Sequence, residues 1–104
     1  MKTLYFVGTA LDDLKEFPHD ARKEAGYELH RVQNGLEPRD WKPMRTVGPG
    51  VREIRIRDSS GIYRVFYVAN IGNAVYVLHA FNKKTEATAK ADVDLGKKRL
   101  KELG

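Results

Sequence analysis

Four stretches of the chain carry the apolar patterns of β-strands. Residues 3–7 are rich in β-branched and aromatic side chains, and residues 51–58 alternate isoleucines with charged residues, as in a strand with one face in water. Residues 62–71 are apolar on both faces, which indicates a central strand. Residues 75–84 end in the polar and basic run "HAFNKK". Short turns join the last three stretches and therefore predict an antiparallel meander.

Apolar residues at helical spacing predict three helices. The first begins at Thr9 as its cap and ends at Phe17, and the second runs from Pro18 to about Val32. The third follows residue 84, with Thr85 as its expected cap. The apolar stripes of the second and third helices are Ala21, Ala25, Leu29 and Val32, and Ala89, Val93, Gly96, Leu100 and Leu103.

The order β-α-α-β-β-β-α predicts an α+β fold, and the length of 104 residues fits one domain, residues 1–104. Residues 36–50 hold three of the four prolines and the single tryptophan, which predicts an irregular loop within this domain. Hydrophobic residues make up 41% and charged residues 32%, so the composition excludes a disordered tail and a membrane protein. Without cysteine or a signal-peptide pattern, we expect a cytoplasmic protein.

Positive charge is concentrated in the middle of the chain. The net charge is +5, which favours a polyanionic partner. Between Lys42 and Tyr67 two acidic residues, Glu53 and Asp58, stand against six basic ones: Lys42, Arg45, Arg52, Arg55, Arg57 and Arg64.

Arginines on neighbouring strands can converge on one phosphate, because a guanidinium forks bidentately and keeps its charge when partly desolvated. Arg55 and Arg57 lie on one predicted strand and Arg64 on the next. A solvated strand face with Glu53 as a pairing partner is an alternative interpretation. Arg64 fits that alternative less well, since its strand is otherwise apolar on both faces and an unpaired buried charge is costly.

The run "HAFNKK" joins four side chains that suit RNA chemistry. His79 can exchange a proton near neutral pH, Phe81 can stack on a base, and Lys83 and Lys84 can neutralise phosphate. A lone histidine on a strand is more often a hydrogen-bonded interior residue than a catalyst, and the lysines could equally be an exposed strand end. The histidines, at positions 19, 30 and 79, are not spaced as metal ligands, and no phosphate loop or dinucleotide fingerprint is present, so we expect no metal and no cofactor.

Several short motifs follow one another along the chain: "EIR" at 53–55, "YRVFY" at 63–67 and "LHAFNKK" at 78–84, with "FP" and "WKPM" before them. In this order they resemble the RelE/ParE superfamily of toxins from type II toxin–antitoxin modules. They are most similar to the phage-derived, HigB-like branch, and the resemblance spans nearly the whole chain. It implies a small antiparallel sheet with helices packed on one side.

The resemblance further implies a ribosome-associated endoribonuclease that cleaves mRNA without a metal. In such enzymes the 2′-hydroxyl attacks the adjacent phosphate, so the protein supplies cations and proton-transfer groups. The residues that this assigns to catalysis are Arg64, Arg55, His79, Lys83 and Lys84. The residues expected to bind RNA are Arg52, Arg57, Phe81, Lys42 and Arg45. The implied partners are mRNA, the ribosome and a cognate antitoxin with a helix-turn-helix domain.

Two other function classes remain open from the sequence. ParE-like proteins share the fold and inhibit DNA gyrase by binding, which would make this chain a non-enzymatic inhibitor. A nucleic-acid or partner-binding module is the third class. The clustering of arginine, histidine and lysine favours the ribonuclease.

Overall fold

A computed structural model describes residues 1–85 and 87–104. Its elements are β1 Thr3–Phe6, α1 Ala10–Lys15, α2 His19–Gln33, β2 Trp41–Pro43, β3 Arg52–Asp58, β4 Gly61–Ile71, β5 Ala74–Lys83 and α3 Lys90–Glu102. The α+β class and the predicted order are confirmed, with the short strand β2 as an addition. Among the described residues, no helix combines the length and the apolar character that crossing a membrane requires.

The strands form one five-stranded sheet in the order β1-β5-β4-β3-β2. The meander of β3, β4 and β5 is antiparallel as predicted, and β4 lies at the centre of the sheet. The strand β1 pairs with β5 in parallel, with Thr3 opposite Ala74, so the sheet is mixed and not purely antiparallel. Its parallel direction follows from the long connection through α1 to β4, which returns the chain to the same end of the sheet.

The segment 36–50, expected to be an irregular loop, contains the edge strand β2. Trp41 lies opposite Ile54 and Pro43 opposite Arg52. Proline is tolerated there because an edge strand does not need every backbone N–H for pairing. A buried carboxylate on α2 holds the segment in place, since Glu28 accepts hydrogen bonds from the Arg39 side chain at 2.8 Å and the Arg39 backbone at 3.1 Å.

The helices cover both faces of the sheet, which corrects the expectation that they pack on one side. The helices α1 and α2 pack on the face that carries Ile54, Val65 and Tyr67. The helix α3 and the segment after β2 cover the opposite face around Phe66 and Leu78. Because β4 is apolar on both faces, other elements of the fold must pack against each face to bury it.

Close packing of α3 against the sheet depends on Gly96. A Cβ atom at this position would lie 3.0 Å from Val47 and 3.1 Å from the Phe66 ring. The helix begins at Lys90 with Ala89 as its N-cap, so the expected cap at Thr85 is wrong; the Thr85 hydroxyl instead donates to the Ala87 carbonyl at 2.6 Å. Thr9 does occupy the N-cap position of α1, but its hydroxyl donates to the Asp13 carboxylate.

Candidate functional site

Five basic side chains project from the α3 face of the sheet, beside the N-terminal end of α3. The pairing register of the strands gives them this common direction, since Arg55 lies opposite Arg64, and Ile62 lies opposite both Arg57 and Lys83. Residues directly opposite each other on paired strands project to the same side. We use the name cationic face for this set, which consists of Lys42, Arg55, Arg57, Arg64 and Lys83.

A buried carboxylate lies at the centre of the cationic face. Glu53 is 0% exposed, and its Oε1 is 3.3 Å from Arg64 Nε and 3.9 Å from Lys42 Nζ. The Thr88 hydroxyl, just before α3, donates to Glu53 Oε2 at 3.3 Å. Glu53 was expected on a wet strand face, and the cover supplied by α3 and its preceding segment explains why it is buried instead.

Arg64 is the most deeply buried of the five cations. Its side chain is 5% exposed, and Nη1 donates to the Tyr63 carbonyl at 3.1 Å. Burial lowers the pKa of Arg64, the Glu53 carboxylate raises it, and the charge of Arg55 lowers it again. The Glu53 carboxylate offsets part of the Arg64 charge, and only a small part of the guanidinium is open to an incoming anion.

Lys83 stands at the end of β5, half-buried, and its pKa is below the ordinary lysine value. Burial is the main cause, and the positive charge of Arg64 adds to it. Arg57 is exposed on the same face, and Lys84 is exposed one residue beyond the strand. Arg55 is half-exposed, with its Nε 3.9 Å from Asp40 Oδ1.

His79 is a buried residue that joins β5 to α3. Its Nε2 lies 2.7 Å from Asp92 Oδ1, while Nδ1 is buried without a hydrogen-bond partner among the described residues. Phe81 stacks on the imidazole at 4.7 Å, and Phe66 contacts it edge-on. The histidine therefore has the surroundings of the hydrogen-bonded interior residue that the sequence left as an alternative.

Two of the residues expected to bind RNA lie apart from the cationic face. Arg52 projects from the opposite face of β3, where its guanidinium covers the Trp41 ring at 4.1 Å and reaches Glu37 at 3.5 Å. The reason is the strand period, since residue 52 has the opposite parity to residues 53, 55 and 57. Arg45 follows β2 and lines a groove with Lys42 beside α3.

Sequence reasoning considered Glu53 only as a pairing partner on a solvated strand face, not as a buried carboxylate, and it missed Asp92. A signal for Glu53 existed, because the turn after Asp58 sets a register in which Arg55 meets Arg64, and two like charges directly opposite each other need a counter-charge nearby. Asp92 had no such signal. Across residues 1–85 and 87–104, no three His, Asp or Glu side chains are grouped as a metal site would require.

Comparison with known proteins assigns the chain to a family. No curated protein matches it. Residues 12–101 match the family described as phage-derived protein Gp49-like (DUF891), and this range runs from α1 into α3 and contains the whole cationic face. The proteins of this family are generally toxin-like, which suggests an antitoxin as a partner. The chain therefore belongs to the Gp49-like family of phage-derived proteins, a family of type II toxins related to the RelE-like toxins.

Proposed function

We propose that this chain is an mRNA endoribonuclease of the HigB-like branch, which acts on translating ribosomes and is neutralised by a cognate helix-turn-helix antitoxin. The observation that carries the proposal is the cationic face, in which five basic side chains project from one face of the sheet and two of them lie within 4 Å of a buried carboxylate. A phosphodiester is the ligand whose chemistry suits this arrangement, because several fixed cations can share its charge.

Cleavage by the RNA's own 2′-hydroxyl has three requirements. The hydroxyl must lose a proton, which passes to solvent water in this proposal; the phosphoryl oxygens gain charge as the oxygen attacks; and the 5′-oxygen must take up a proton as it leaves. Arg64 and Arg55 are the charge-stabilising groups in this proposal, since they lie opposite each other at the centre of the cationic face. Their guanidinium groups favour the more highly charged transition state over the substrate.

Lys83 is the proposed donor of the proton to the leaving 5′-oxygen. Its lowered pKa brings it closer to neutral pH, where an ammonium group transfers its proton more readily. His79 is assigned a positioning role, because its Nε2 is engaged by Asp92 and its Nδ1 is buried. Lys84, Arg57, Lys42 and Arg45 are assigned to the flanking phosphates, and Phe81 to the support of the His79 ring.

A translating extract provides the test. Purified protein is added to an extract that translates a defined message, and the message and a supercoiled plasmid with gyrase are examined afterwards. Truncated mRNA is the expected result. Linearised plasmid with intact mRNA would instead indicate the ParE-like gyrase inhibitor, and an effect on neither nucleic acid would indicate a binding module.

A further inference from the structure

An open groove of about 840 Å³ lies between the segment that follows β2 and the N-terminal half of α3. Four basic side chains and one carboxylate belong to its described lining, namely Lys42, Arg45, Lys90, Lys97 and Asp94. Lys90 donates to Asp94 at 2.6 Å, so the carboxylate is neutralised within the groove. The groove therefore carries an excess of positive charge.

The floor of the groove is apolar. Pro43, Met44 and Val93 line it, and Pro43 and Val93 are the two whose side chains reach the surface, since Met44 is almost fully buried. The proline ring and the valine provide an apolar surface on which a flat base can rest. This combination suits a single-stranded nucleic acid, because its phosphates bind to the basic side chains while its bases pack on the apolar surface.

The groove is continuous with the cationic face. Lys42 belongs to both, and its Nζ lies 3.9 Å from the Glu53 oxygen that Arg64 also approaches. Thr88 lines the groove and donates to the other oxygen of Glu53. A single RNA strand with one phosphate at Arg64 would therefore continue past Lys42 toward Arg45 and α3.

We propose that this groove binds the RNA nucleotides on one side of the scissile phosphate, an inference that rests on the proposed ribonuclease function. RNA is favoured over an acidic protein segment because the groove opens from the cationic face, where a phosphodiester is already expected. The helix α3, to which the sequence assigned no functional residue, then supplies one wall of the RNA site through Lys90 and Lys97.

Binding of RNA that cannot be cleaved isolates the groove from the chemistry. A 2′-O-methyl oligoribonucleotide lacks the attacking hydroxyl, and its dissociation constant can be measured by fluorescence anisotropy over a range of salt concentrations. The double variant R45A/K97A removes two groove cations. The double variant K98A/K101A removes the same charge from α3 outside the groove and is the matched control.

Each lost phosphate contact should lower the salt slope by about 0.7 for single-stranded RNA. The groove variant should therefore lose about 1.4 in slope and bind roughly tenfold more weakly near 0.15 M salt, while the control retains the wild-type slope. Circular dichroism verifies that both variants fold. Equal losses in the two variants, or unchanged binding by R45A/K97A, would overturn the groove as an RNA site.

Two further outcomes separate this inference from the proposed function. Intact mRNA in the translating extract combined with groove-dependent RNA binding would refute the ribonuclease and support the groove. Capture of a polyglutamate peptide by the groove without any binding of RNA would overturn the inference and assign the groove to a protein partner.

Discussion

At the scale of single residues, the buried pair of Glu53 and Arg64 links the stability of the fold to the chemistry proposed for the site. Glu53 is fully buried, and after removal of Arg64 its charge has Lys42 and Thr88 as polar neighbours within residues 1–85 and 87–104. Breaking a buried pair by removing one partner typically costs about 3–5 kcal/mol. An alanine at position 64 therefore tests folding and chemistry together, and a substitution that keeps the charge is needed to separate them.

The variant R64K should keep the fold and lose most of the activity. Lysine preserves the pairing with Glu53 but cannot offer a planar fork to a phosphate. Loss of one stabilising donor typically costs about 2.7–4 kcal/mol in the transition state, which predicts a cleavage rate lowered by a factor on the order of 10² to 10³. The measurement is the rate of mRNA truncation, with thermal unfolding as a control.

In comparison, R64A should also unfold at a markedly lower temperature. The double variant E53Q/R64A should recover part of that stability, because it removes the uncompensated charge, and should remain inactive. Full cleavage activity in well-folded R64K would exclude Arg64 from the phosphate site.

At the scale of elements, much of the fold was predictable from local patterns. The three helices and the β3–β5 meander have clear periodicities, whereas β2 consists of a tryptophan, a lysine and a proline and carries no strand signal. The parallel partner of β1 lies 71 positions away, between Thr3 and Ala74, and no local pattern encodes such a pairing. The face of Arg52 was predictable, because the alternation from 52 to 57 puts it with Ile54 and Ile56.

The contact of α3 with the sheet should depend on Asp92. The variant D92A leaves the buried His79 Nε2 without its acceptor, and a buried unsatisfied group costs about 1–3 kcal/mol. Denaturant unfolding should show this loss of stability. The matched control is D94A, two residues further along the same helix, which removes only an exposed pair with Lys90 and should leave the unfolding midpoint unchanged. Equal effects of the two substitutions would contradict the inference that the hydrogen bond between His79 and Asp92 stabilises the packing of α3 on the sheet.

At the scale of the whole molecule, two separate surfaces are available to a partner protein. The cationic face is accessible at Arg57, Lys83 and the neighbouring Lys84, whereas α1 and α2 form a separate surface on the opposite side of the sheet. A partner that covers the cationic face would compete directly with the RNA that we propose to bind there. A partner on the helical pair would instead inhibit the proposed activity by blocking entry to the ribosome.

We expect the antitoxin to bind on or beside the cationic face. Charge reversal in R57E/K84E should raise the dissociation constant of the toxin–antitoxin complex roughly tenfold or more, because like charges across an interface are costly. Reversal in K98E/K101E, on the C-terminal half of α3, is the control and should have little effect. Unchanged antitoxin affinity together with lost cleavage would assign the partner to another surface.

Cleavage should also be independent of divalent metal ions. In the proposed mechanism the side-chain cations supply the charge that a metal would otherwise provide. Because ribosomes require magnesium, the measurement uses free RNA at high enzyme concentration, with and without EDTA. Activity that disappears with EDTA and returns with added magnesium would contradict this mechanism.

The parallel pairing of β1 with β5 has a consequence for synthesis of the protein. The strand β1 is translated first, yet its partner is the last strand of the sheet, and β5 also contributes Lys83 to the cationic face. Contacts between residues so distant in sequence form late, after the intervening chain has been made. The cationic face is therefore incomplete while β5 is still inside the exit tunnel. The activity that we propose for this face thus depends on the strand of the sheet that is made last.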